Sequence, residues 1–312
     1  MRDDEFVAMQ KSTSVRSQNL PPALALLRPG IRALSALAPG LAARVAERML
    51  LTPARHSAPP QEIAALASAR RTIVRVGETA LSTWTWGHGP RVLLVHGWAG
   101  RGGQLAAFVP PLLARGFSIV TFDAPGHGAS PSPQTSVVAF TEAVRAVAAA
   151  LGPIRGVVAH SLGAVATARA MFDGLDVDAA VFVAPAGNLA AYSTVFLDAL
   201  GFNRRARERV RERVETRLRT PWTALDLRVL APGLDTPLLI LHDRDDAEVP
   251  WQDGAIVAQA WRGAELVTTG GLGHRRILRE AGVVTRSAQF LGDRIAAGAP
   301  TADPILVTSP AA

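Results

Sequence analysis

Gly156-Val157-Val158-Ala159-His160-Ser161-Leu162-Gly163-Ala164-Val165-Ala166 is the stretch on which the fold turns. Its first four residues form an apolar run of strand length, and small apolar residues continue from Leu162 as a helix. A serine at that junction stands on a tight strand-to-helix turn. The turn thrusts the Ser161 hydroxyl above the edge of the sheet and aims the Leu162 amide at the same space. That geometry suits attack on a carbonyl carbon. Taken alone, Ser161 could equally be an ordinary loop serine, so its partners must appear at other strand ends.

Two later strands end in polar loops. Pro237-Leu238-Leu239-Ile240-Leu241 enters His242-Asp243-Arg244-Asp245-Asp246-Ala247-Glu248-Val249-Pro250. Leu266-Val267-Thr268-Thr269 reads as the last strand and ends in Gly270-Gly271-Leu272-Gly273-His274, with a helix expected from Arg275 onward. Upstream, Arg91–Val95 runs into His96-Gly97-Trp98-Ala99-Gly100. Phe117–Thr121 runs into Phe122-Asp123-Ala124-Pro125-Gly126-His127-Gly128-Ala129-Ser130.

These four motifs, in this order, resemble the α/β-hydrolase superfamily. Ala159-His160-Ser161-Leu162-Gly163 resembles its Gly-x-Ser-x-Gly nucleophile elbow, with Ala159 in place of the first glycine, a form some bacterial lipases of the superfamily carry. The superfamily's chain order is nucleophile, acid, histidine. The resemblance therefore implies Ser161 as nucleophile and His274 as general base. The superfamily's Gly-x-x-Asp-x-x-Val-Pro pattern, aligned on Val249-Pro250, puts the acid on Asp246 and leaves Asp243 in the glycine's place. Asp245 is the alternative, and an aspartate without the catalytic role would form an Asx-type turn or cap the helix starting near Trp251. The two oxyanion donors implied are the amides of Leu162 and Trp98, with the Trp98 indole free to line the pocket. The segment at Asp123–Ser130 resembles the Asp-x-Pro-Gly-His-Gly-x-Ser loop. His127 precedes the nucleophile and reads as a hydrogen-bonded loop residue.

The fold class implied is α/β: an α/β-hydrolase fold with a mostly parallel twisted sheet, helices on both faces and a helical cap insertion. The activity implied is that of a carboxylesterase-like serine hydrolase. It would cleave a carboxylic ester or thioester of a small to medium apolar substrate through an acyl-enzyme, without a cofactor. Serine at the elbow argues against the carboxylate-nucleophile branches of the superfamily. Carbon–carbon bond hydrolysis, acyl transfer and perhydrolysis use the same triad, and a ligand-binding or signalling role on the same fold stays open.

Composition narrows the field. At 312 residues and 48% hydrophobic content, the chain can bury one large core with room for an appended segment. It has no cysteine, which excludes disulfides, thiolate catalysis and cysteine zinc sites, and makes the cytoplasm the simplest expectation. Its histidines are scattered over separate loops and suggest no metal centre. The net charge is +7, almost entirely from arginine, since Lys11 is the only lysine. Aromatic residues make up 5%, too few for a base-stacking platform, so nucleic acid is not an expected partner. No apolar run approaches the length of a membrane span. Nothing in the sequence gives an oligomeric state.

Along the chain, residues 1–70 read as an N-terminal helical extension, 71–297 as the hydrolase domain and 298–312 as a flexible tail. In the extension, Leu34, Leu37, Leu41, Val45 and Met49 recur at helical spacing, interrupted by Pro39-Gly40. A short helix is expected from Pro60 to Arg70. The extension is expected to dock on its own domain or a subunit partner in preference to acting as an amphipathic membrane anchor. Residues 72–76 and 81–86 suggest an antiparallel opening hairpin. Between the strands at Ala179 and Pro237 lie too many residues for a simple crossover, and a cap insertion is expected at about 186–235. Its Phe196 and Trp222 are candidate substrate-pocket residues. Its Asn203–Arg219 half places Ala206, Val210, Val214 and Leu218 on one stripe, and its arginines and glutamates read as ion pairs on a solvated face.

Overall fold

Alternation along single strands sets the layers. In Val92-Leu93-Leu94-Val95 every side chain is buried, Leu93 and Val95 in one apolar cluster and Val92 and Leu94 in another. A strand buried on both faces needs helices on both faces, which is the requirement of a parallel sheet. The structure, a computed structural model, describes residues 25–295. The expected 298–312 tail and the first part of the N-terminal extension lie outside these residues.

The described chain opens with helices α1 (Arg28–Leu37), α2 (Pro39–Leu51) and α3 (Pro60–Ala67). Strands β1 (Arg70–Val76), β2 (Thr79–Trp86) and β3 (Arg91–Val95) follow, then a 3-10 turn (Gly102–Phe108) leading into α4 (Val109–Leu113). Next come β4 (Ser118–Phe122), α5 (Val137–Leu151), β5 (Ile154–His160), α6 (Leu162–Phe172) and β6 (Ala179–Val183). Between β6 and β7, where a cap insertion is expected, lie α7 (Leu189–Leu200), α8 (Arg204–Leu218) and α9 (Leu227–Leu230). The chain continues through β7 (Leu238–Asp243), α10 (Trp251–Ala260), β8 (Glu265–Thr269), α11 (Gly273–Arg276) and α12 (Ala281–Arg294).

The eight strands form one sheet in the order β1-β2-β4-β3-β5-β6-β7-β8. β2 runs antiparallel to β1 and β4, and the remaining pairs are parallel. Helices α5, α6 and α10 cover one face, and α4, α12 and the Gly102–Phe108 turn cover the other. From β3 the chain steps outward to β4 and then returns to β5 on β3's other side. Strand order therefore reverses between β3 and β5, and the loops leaving their C-terminal ends open a crevice. Those two loops carry His96–Gly100 and Ser161.

The N-terminal helices rest on the segment between β6 and β7. Ile31, Ala42, Ala43 and Ala46 share an apolar cluster with Leu197, Leu200, Phe202, Ala206, Val210 and Val214. Asn203 Nδ2 donates to the Ser35 carbonyl at 2.8 Å. Arg213 and Arg217 both reach the buried Glu47, at 2.6 and 3.2 Å. The apolar stripe expected from sequence divides. Leu34, Val45 and Met49 are half-buried against that apolar cluster, whereas Leu37 is 86% exposed and Leu41 51%. Ala42, Ala43 and Ala46 take the fully buried positions. Small side chains let α8 approach α2 closely, and alanine on one face and leucine on the other look equally apolar in a helical pattern. Among the described residues no helix is long and apolar enough to cross a membrane.

Candidate active site

Ser161 sits between β5 and α6 with φ 53° and ψ −119°, a conformation that non-glycine residues rarely adopt and that costs on the order of 1–3 kcal/mol. β6 holds it there: the Ser161 amide donates to the Val183 carbonyl at 3.0 Å, and the Ser161 carbonyl accepts from Ala186 N–H at 3.4 Å. Two glycines let the backbones close in. A Cβ on Gly163 would lie 2.4 Å from the His96 carbonyl oxygen, and one on Gly97 would lie 3.0 Å from Ser161 Cβ. The loop after β3 is thereby pressed against the serine. Leu162 opens α6, so its amide has no helical acceptor. Among the described residues neither the Leu162 nor the Trp98 amide donates to a protein acceptor.

Two neutral histidines pin that loop. His96 Nδ1–H donates to the Gly97 carbonyl at 2.7 Å, and its Nε2 accepts from Ala124 N–H at 3.0 Å. His127 Nδ1–H donates to the Pro125 carbonyl at 3.0 Å, and its Nε2 accepts from Ala99 N–H at 3.0 Å. Burial lowers the pKa of His96 to about 4. Burial, aided by the neighbouring His96, lowers that of His127 to about 3. Asp123 completes the tie, accepting from the amides of Gly102 and Ala129 at 2.7 Å each.

Of the three clustered aspartates, Asp246 is the one that meets His274, with His274 Nδ1 2.7 Å from Asp246 Oδ2. Asp246 Oδ1 accepts from the amides of Glu248 and Val249 at 2.9 Å each. His242, fully buried, sends Nε2–H to the Val249 carbonyl at 3.0 Å and brings it within 3.5 Å of Asp246 Oδ2. Burial works to raise the Asp246 pKa, but the hydrogen bonds from His242, His274 and Val249 outweigh it and hold the carboxyl well below the usual range. With Nδ1–H committed to Asp246, His274 Nε2 is left as a proton acceptor.

Asp243 does different work. It accepts from the amides of Asp245, Leu272 and Gly273 and from the Thr269 hydroxyl, tying its own turn to the loop that carries His274. Asp245 accepts from Gly271 N–H at 2.8 Å in the same sense. Neither caps α10, whose N-cap is Pro250. His274 itself lies inside the short helix α11 instead of preceding a helix, and the long helix waits until Ala281.

His160 is a site residue the sequence reading did not single out. Its Nε2–H donates to the His274 carbonyl at 3.0 Å, and the two rings lie 4.6 Å apart at 44°. Burial, with the nearby His274, holds the His160 pKa well below its ordinary value. A cavity of about 1030 Å³ opens above these residues, lined by Ser161, His274, Trp98, Phe196 and Trp222 together with the end of α2. Beside it, the Tyr192 hydroxyl of α7 donates to the buried Asp253 of α10 at 2.6 Å, which ties α7 to α10.

The alpha/beta hydrolase family model matches residues 92–286. The chain belongs to this family. Among curated relatives, this family member is similar to a pimeloyl-[acyl-carrier protein] methyl ester esterase of Methylococcus capsulatus, 51% identical over 47 residues. That match spans 15% of this chain and 18% of the relative. Among solved structures, an esterase from Pyrococcus furiosus aligns with TM-score 0.59 at 17% identity, covering 78% of this hydrolase and 98% of that chain. A bromoperoxidase from Bacillus anthracis aligns with TM-score 0.56 at 18% identity, covering 71% and 99%. At such identities the likeness is one of fold.

Proposed function

We propose that this alpha/beta hydrolase is a serine esterase that cleaves a carboxylic ester through an acyl-enzyme. The observation that carries the reading is the His274–Asp246 hydrogen bond, formed at the rim of the cavity that also holds the strained Ser161. Ser161 Oγ attacks the ester carbonyl carbon as its proton passes to His274 Nε2. Asp246 holds the ring in the accepting tautomer and favours the imidazolium that forms. The oxyanion is received by the Leu162 and Trp98 amides, each such donor contributing about 3–4 kcal/mol to lowering the barrier. His274 then protonates the leaving alkoxide, and water, deprotonated by the same ring, releases the acid. The apolar lining from Trp98, Phe196 and Trp222 suits an uncharged acyl or alcohol group, and the curated relative's methyl ester has the same bond type. A thioester would enter the same sequence of steps.

The test is labelling with a fluorophosphonate probe, with turnover of a short-chain p-nitrophenyl ester measured alongside. The wild-type chain should be labelled on Ser161, and Ser161→Ala should lose about four to six orders of magnitude in turnover. A variant keeping a tenth of wild-type activity would remove Ser161 from the nucleophile's role.

A further inference from the structure

The N-terminal helices α1 and α2 bury Ile31, Ala42, Ala43 and Ala46 against the α7–α8 segment and leave Leu37 and Leu41, with Leu26 and Leu27 ahead of α1, exposed to water. Leu26 is 82% exposed, Leu27 48%, Leu37 86% and Leu41 51%, four large apolar side chains within sixteen residues of chain. The other exposed large apolar side chains (Ile63, Ile73, Phe172 and Val229 among them) stand singly on separate elements, as surface hydrophobes ordinarily do. The charge on the helix pair is one-sided. Between residues 25 and 61 the only carboxylate is Glu47, which is buried and neutralised by Arg213 and Arg217. Arg44 and Arg48 flank Leu41 on the exposed side of α2 and pair with no carboxylate among the described residues. Leucines in water, bordered by free guanidinium groups with no acid among them, match an anionic lipid interface: apolar below, phosphate above. The helix pair also leads somewhere, because Met49, Leu50 and Leu51 at the end of α2 line the cavity that holds Ser161.

We propose that the solvent face of this helix pair docks on an anionic lipid surface, with its exposed leucines entering the interface and Arg44 and Arg48 meeting the headgroups. The hydrolase then takes a long-chain lipid ester from that surface past the end of α2. This second step, about the substrate, rests on the serine-esterase reading; the docking does not.

Docking is tested with the full-chain Ser161→Ala variant, which leaves the vesicles intact. It is sedimented with vesicles of phosphatidylcholine alone and with vesicles containing about one third phosphatidylglycerol. Binding to the anionic vesicles should be at least about tenfold stronger, and should weaken as salt is raised. Adding Leu37→Glu and Leu41→Glu together should lower it by about tenfold or more. The same pair in the wild-type background should leave the thermal midpoint and turnover of a soluble ester unchanged. Equal binding to both vesicles, no binding, or undiminished binding by the leucine variant would overturn the docking. So would a dimer in sedimentation velocity that the leucine pair dissolves, since a second copy would then cover the face. With active protein, a long-chain ester in anionic vesicles should be cleaved faster than in zwitterionic ones, and the leucine pair should abolish the difference. Persistent vesicle binding by a chain that hydrolyses no ester would sink the esterase reading and leave the docking standing.

Discussion

Asp243 and Asp246 stand three residues apart and accept from different partners, which separates their roles by experiment. Asp246→Asn should cost about 10³–10⁴ in kcat, because an amide facing His274 Nδ1 no longer enforces the accepting tautomer. Asp243→Asn gives up an acceptor shared by three amides and a hydroxyl, so it should lower stability by about 1–3 kcal/mol with a smaller loss in kcat. Asp245→Asn should change turnover by less than about threefold, since its one loop contact is exposed. Kinetics and denaturant titration on the three variants decide this. An Asp243 variant that is fully stable yet inactive would transfer the acid's role to it. His160 invites a second comparison. His160→Gln keeps an N–H in reach of the His274 carbonyl and should stay within about fivefold of wild-type kcat. His160→Leu should lose about tenfold or more in kcat with KM little moved, because the base and not the binding site is displaced. Equal losses in both variants would put the effect in the stacked ring instead. The placement of Ser161, Asp246 and His274 at strand ends was legible in the sequence because each stands where an apolar strand must turn, and the roles proposed for them rest on that placement. The His160 contact was not, because its partner lies 114 residues away and nothing local marks the bond.

At the scale of elements, strands and the helices between them were readable from alternation and punctuation. The packing of the extension was only half readable. Pro39 divided α1 from α2 where expected, and of the periodic stripe Leu34, Val45 and Met49 do pack. Leu37 and Leu41 stay exposed, however, while the alanines that periodicity passed over are the residues buried against α8. Helical pattern counts apolar residues, whereas packing between helices selects those small enough for close approach. The latch between α7 and α10 was likewise invisible, since Tyr192 and Asp253 are 61 residues apart. Tyr192→Phe removes that bond and leaves a buried carboxyl without its donor. It should lower stability by about 1–3 kcal/mol and raise KM several-fold while kcat moves less, because α7, and not the triad, is loosened. Urea titration and steady-state kinetics on one variant measure both. An unchanged KM would separate the latch from substrate binding.

For the molecule as a whole, the loop histidines set a dependence on acid. In the unfolded chain His96 and His127 take protons near their ordinary pKa of 6.5, whereas in the fold they resist protonation to about 4 and about 3. Between those values the unfolded state binds more protons, so stability is full above the ordinary pKa and falls as pH is lowered. From about pH 7.5 to about pH 5 each histidine should account for a loss of about 2 kcal/mol. His127→Gln, which cannot titrate, should be less stable at neutral pH but show a shallower fall. A slope identical to wild type would mean that the histidine protonates freely in the fold. The roof over the cavity has a history as well as a shape. Its apolar cluster joins Ile31 and Ala42–Ala46 to residues between Leu197 and Val214, so the two halves leave the ribosome far apart in time. The first helices, once synthesised, have each other, and the end of α2 has the loop at Thr135, but most of the apolar surface they close upon is absent until residues 197–214 have emerged. A nascent chain halted before α7 should therefore keep protease-sensitive N-terminal helices beside an already forming sheet, and should gain protection there only when synthesis passes Val214.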